Sequence, residues 1–125
     1  MLVIYIFIGG GIGSVLRYFF ASQIGQIFGA QFPYGTFSVN VVGSFLMGLL
    51  MEFFSKTIPH DMELRAFLAV GILGGFTTFS AFSRDAVILF ERGDFSLALM
   101  YVLSSVIFSI LAVFGGFIVM RLLVN

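Results

Sequence analysis

The sequence predicts an all-α membrane protein of four transmembrane helices, the third broken near its middle. Three observations predict it. Of 125 residues, 60% are hydrophobic and 10% charged, against about a quarter charged in soluble domains. A soluble fold of this length leaves too much surface exposed to hide that apolar content, so the bilayer is its natural solvent. The charged residues mark out four apolar stretches, each near the length of about 20 residues that crosses the hydrocarbon core. Gly74-Gly75 and Thr77-Thr78 fall together at the centre of the third.

The first span begins at about Leu2 and runs into the region after Arg17. No positive residue precedes it as in a signal peptide, and three more apolar stretches follow, so it reads as a spanning helix. No charge appears between Arg17 and Glu52, and Gly29, Pro33 and Gly35 punctuate that stretch. It therefore holds the end of one helix, a short turn and a second helix from about Tyr34 to Phe54. A polar loop, Ser55 to Glu63, follows. The third span starts near Leu64 and reaches about Phe90. Glu91-Arg92-Gly93-Asp94 forms a tight turn into the fourth, Phe95 to about Leu122. The expectation is one domain over residues 1–125.

Composition excludes several classes. Six Lys and Arg balance six Asp and Glu, leaving no basic stripe for nucleic acid. No cysteine is present, and the single His60 lies in a polar loop, a poor basis for a metal site. Gly9-Gly10-Gly11-Ile12-Gly13-Ser14 lacks the Lys-Ser/Thr ending of a phosphate-binding loop and reads as a helix-packing surface. No nucleophile, base and acid come together, so nothing points to an enzyme.

Four spans place both termini and the middle loop on one side. That side carries Lys56, Arg65 and Arg121; the other carries Arg17, Arg84 and Arg92. Orientation is set by an imbalance of positive residues. A balanced chain can insert both ways, which permits an antiparallel, dual-topology dimer, while a weak residual bias would fix a single orientation.

The stretch Gly71-Ile72-Leu73-Gly74-Gly75-Phe76-Thr77-Thr78-Phe79-Ser80-Ala81-Phe82-Ser83 carries the most information. Glycine weakens a helix, and threonine hydroxyls can replace backbone partners. A break at mid-membrane frees carbonyls and N–H groups, which recur as ion sites; the alternative is close helix packing through glycine. Phe79 and Phe82 share a helix face, and a phenyl ring presents a positive edge that can hold an anion without a full charge. Thr36, Asn40 and Ser44 form a polar stripe on the second helix, and Tyr101, Ser105 and Ser109 one on the fourth, each about 12 Å long at 1.5 Å per residue. Such groups can replace water around an anion or tie helices together. Arg17 is placed either to draw anions into a vestibule or to snorkel to the interface. No carboxylate lies near the centre of a span, against the titrating group that proton-coupled transport needs.

Gly74-Gly75-Phe76-Thr77-Thr78-Phe79-Ser80-Ala81-Phe82-Ser83 resembles the signature of the CrcB, or Fluc, fluoride channel family. Gly35-Thr36-Phe37-Ser38-Val39-Asn40-Val41-Val42-Gly43 resembles its second-helix motif, and Gly9 to Arg17 its glycine-rich first helix. The resemblance covers the whole chain. It implies passive fluoride efflux across a bacterial inner membrane by an antiparallel homodimer with two pores and a structural sodium ion at the dimer axis. It implies that backbone carbonyls of Gly74 and Thr77 hold the sodium. Phe79 and Phe82 would line the pores, and Asn40, Ser80, Tyr101 and Ser109 match polar pore positions. Many members have Thr where this chain has Ala81. Two rivals share the layout. A small dual-topology multidrug exporter needs a membrane-buried glutamate in its first helix, absent from Leu2 to Leu16. A non-conducting assembly subunit would use its glycines and serines only for packing.

Overall fold

Four helical spans, all long and apolar enough to cross a membrane, make up the chain. The computed structural model describes residues 1–125. Helix α1 covers Leu2–Phe28 and α2 Tyr34–Thr57. The third span is composite: α3 (Met62–Arg65), a π-helical stretch (Ala66–Leu73), α4 (Gly74–Phe76), two extended residues, then α5 (Phe79–Glu91). Helix α6 covers Phe95–Leu123. The expected break in the third span is present, at Thr77 and Thr78.

Two boundaries move. The polar stretch expected as a loop from Ser55 is helical as far as Thr57, whose Oγ1 donates to Phe53 O at 2.6 Å. The third span starts early because Asp61 caps it, accepting from Leu64 N–H at 2.9 Å; side-chain acceptance of an orphan N–H is what an N-cap supplies. Helices that emerge from the bilayer carry polar ends, so polarity alone overstates the loop.

Only 18 of 125 residues are buried. The apolar content is therefore turned outward, as a lipid-facing or partner-facing surface requires. What packing there is runs through small residues. Along α1, Gly9, Gly10 and Gly13 lie against the π-helical stretch and α4, and along α2 and α6, Gly48 and Gly116 bring backbones together. Without a hydrophobic drive between helices in lipid, such close approach supplies the association. A Cβ on Gly75 would lie 2.5 Å from Gly10 O, whereas one on Gly11 meets nothing within 4 Å. Gly75→Ala should therefore cost about 1–3 kcal/mol and lower the melting temperature in detergent, with Gly11→Ala unchanged. Equal melting of both variants would contradict this packing. At one end of the bundle the buried Glu52 joins α2 to α6 through Arg121 Nη2 at 2.9 Å.

Candidate functional site at the helix break

Thr77 (φ −82°, ψ 160°) and Thr78 (φ −153°, ψ 122°) are extended, so the helical ladder stops between α4 and α5. Gly43 of α2 makes room for Phe76 and Thr77: a side chain there would meet Thr77 Cγ2 and the Phe76 ring. The polar groups of the break find specific partners. Asn40 Oδ1 accepts from Thr78 N–H at 2.8 Å, and its amide donates to Thr78 O at 2.9 Å. Thr78 Oγ1 accepts from Ala81 N–H at 3.1 Å and lies 3.3 Å from Ser80 Oγ, while Thr77 Oγ1 donates to Leu73 O at 3.0 Å. One amide side chain thus latches both main-chain groups of one residue.

These substitutions leave a residue elsewhere. In an unbroken helix Thr78 N–H would serve Gly74 O, and Ala81 N–H would serve Thr77 O. Both donors have turned to side chains. The carbonyls of Gly74 and Thr77 have therefore lost their helical donors, and Gly74 is exposed on the surface of the chain.

Two clefts meet at Thr78. The first, about 400 Å³, opens between α2, α5 and α6 and includes Asn40, Ser44, Phe79, Phe82, Ser105 and Ser109. The hydroxyls of Ser105 and Ser109 are buried and have no hydrogen-bond partner, so the interhelical bonding open to them from sequence is not what they do. An unpaired buried hydroxyl is costly and is available to a ligand. Phe82 is 8% exposed and Phe79 78% exposed, with ring centroids 5.4 Å apart. The second cleft, about 500 Å³, is polar and lies between α1, α2 and α5, with Ser14, Arg17, Ser22, Thr36, Ser80 and Arg84 on its walls. No carboxylate lines either cleft.

The break and its clefts sort the residues singled out from sequence. Asn40, Phe79, Phe82, Ser109 and Thr77 belong to the first cleft, and Arg17, Thr36 and Ser80 to the second. Tyr101 borders neither. It is fully buried behind Phe82, centroids 5.2 Å apart, and its hydroxyl donates to Asp85 Oδ2 at 3.3 Å. From sequence, Arg84 figures only among the six positive charges and Ser14 only in a packing surface, and neither they nor Asp85 and Ser22 stand out as site residues. Arg84 stands four residues after Ser80, one turn along the same face, which was the available signal.

A family model described as "CrcB-like protein, Camphor Resistance (CrcB)" matches residues 4–117. The chain is 53% identical over 108 residues to a protein of Agrobacterium fabrum, with 86% of each chain covered. It is 46% identical over 121 residues to one of Rhodopseudomonas palustris, covering 97% of this chain and 98% of the relative. It is 50% identical over 117 residues to one of Rhizobium etli, covering 94% of each. All three relatives are named fluoride-specific ion channel FluC.

Proposed function

The chain belongs to the CrcB-like family, and from that premise we propose that it is a subunit of a fluoride-selective channel giving passive fluoride efflux. The family is one of ion channels and not of enzymes, and the chain is a multi-pass membrane protein. The observation that carries the proposal is the junction of two clefts at a helix break latched by Asn40, with hydrogen-bond donors and phenyl rings along the way and no carboxylate.

The route runs from the Arg17 cleft past Ser80 and Thr78 to Phe79 and Phe82, then along Ser105 and Ser109. Arginine raises the local anion concentration, and hydroxyl donors replace lost water. Ring edges hold the ion weakly enough to release it, as conduction requires. Fluoride trapped inside a cell after entry as neutral HF would be driven out by a negative interior, at about 2.3 kcal/mol per charge per 100 mV. No proton-coupling carboxylate is needed.

The functional unit of this proposal is an antiparallel homodimer with two pores. Backbone oxygens without donors are expensive in lipid, so the exposed Gly74 and the open cleft call for a second copy as cover. The three-against-three balance of positive residues permits opposite insertion. A sodium ion at the dimer axis fits the donor set: hard cations take oxygen ligands, and the Gly74 and Thr77 carbonyls have no helical donor to lose. The ion would supply positive charge that ties the two copies together. Purified protein in liposomes should release fluoride at least ~100-fold faster than chloride once a potassium ionophore dissipates charge build-up, the margin a few kcal/mol of discrimination gives. Equal rates for the two halides would overturn the proposal.

A further inference from the structure

The cleft between α1 and α5 is larger than a monatomic anion needs. At about 500 Å³ it holds two guanidinium groups, Arg17 and Arg84, with the hydroxyls of Ser14, Ser22, Thr36 and Ser80 around them. Every arginine but Arg17 has a partner within the chain. Arg92 and Arg121 each hold a carboxylate, at 2.9 Å, and Arg65 donates to Pro59 O. Arg17 is half-buried and has no hydrogen bond or ion pair within the chain. Arg84 is held from the side by Asp85, whose Oδ1 accepts from both Nε at 3.3 Å and Nη2 at 3.1 Å. A guanidinium has five N–H donors, so that pairing leaves three of them unused.

A guanidinium is a planar fork that matches two oxygens of one anion at once. A halide offers the fork a single acceptor atom, whereas a tetrahedral oxyanion can engage two forks with separate oxygens and still accept from hydroxyls. We propose that this cleft binds a phosphate-type oxyanion through Arg17 and Arg84, and that the bound oxyanion blocks the approach to Thr78. The cleft ends where Asn40 fixes the Thr78 main chain, so the polyatomic ion lodges there and does not follow the smaller one. Binding stands independently of the channel reading; the block rests on it.

The test uses the full chain in detergent, titrated calorimetrically with inorganic phosphate at ionic strength held constant with chloride. Saturable binding is expected, weakened about 10- to 100-fold by Arg17→Lys, which keeps the charge and removes the fork, and by Arg84→Gln. Absence of saturable binding, or binding unchanged in both variants, overturns the site. In liposomes, phosphate should lower wild-type fluoride efflux in proportion to occupancy, and lose that effect in Arg84→Gln. Efflux insensitive to phosphate at a saturating concentration overturns the block. Phosphate binding without any fluoride flux would remove the channel reading and leave the site. Competition by short-chain phosphatidylglycerol would identify a lipid headgroup as occupant, and lack of competition the free ion.

Discussion

Replacing Asn40 with aspartate is expected to lower fluoride flux at least ~100-fold in a protein that still folds and inserts. The asparagine amide does two things at once: it accepts from Thr78 N–H at 2.8 Å and donates to Thr78 O at 2.9 Å. A carboxylate keeps the first bond and loses the second, setting a lone pair against a carbonyl. It also puts a full negative charge where the two clefts meet. At about 5 Å and an effective dielectric constant near ~20, repulsion of a passing anion is about 3 kcal/mol, which by itself accounts for roughly a hundredfold. Asn40→Leu separates the two effects. It adds no charge but leaves the Thr78 main chain unpaired, at about 1–3 kcal/mol per group, so it should lose stability as well as flux. Elution volume and helical circular dichroism report folding; liposome efflux reports conduction. Aspartate at position 40 with undiminished flux would take the latch out of the pathway.

Replacing Phe79 and Phe82 together with isoleucine should abolish flux. Isoleucine preserves apolar bulk but lacks the ring quadrupole whose positive edge faces an anion. The two rings differ in setting. Phe82 is wedged between Phe79 and Tyr101, at centroid distances of 5.4 and 5.2 Å, while Phe79 is 78% exposed. Phe82→Ile therefore disturbs packing as well as chemistry, at about 1–3 kcal/mol, and Phe79→Ile disturbs chemistry with little loss of melting temperature. If the double variant carried fluoride at the wild-type rate, neither ring would belong to the pore.

The fold was largely legible because lipid imposes a simple rule: spans must be long, apolar and internally hydrogen-bonded. Charges and the Gly29, Pro33 and Gly93 punctuation placed all four. The break was legible too, since Gly74-Gly75 followed by Thr77-Thr78 puts weak helix residues beside hydroxyls able to take over backbone bonds, and Thr78 does so for Ala81 N–H. The π-helical stretch was not. Ala66 to Leu73 reads as ordinary apolar helix, and its π winding accompanies the tertiary approach of Gly71 and Gly75 to α1, which no local pattern encodes. Nor does spacing reveal that Tyr101 turns away from the stripe of Ser105 and Ser109 to meet Asp85. That pairing joins α5 to α6 across the Glu91–Asp94 turn. The same holds for Glu52 and Arg121, distant in sequence and joined only by the packing of α2 on α6.

Selective, passive conduction is best tested by electrical recording in a planar bilayer under a bi-ionic gradient, fluoride on one side and chloride on the other. A current that reverses far from zero, with the sign of a permeability ratio strongly favouring fluoride over chloride and no dependence on a proton gradient, is the expected result. Reversal near zero, or at a value set by chloride or protons, would contradict it.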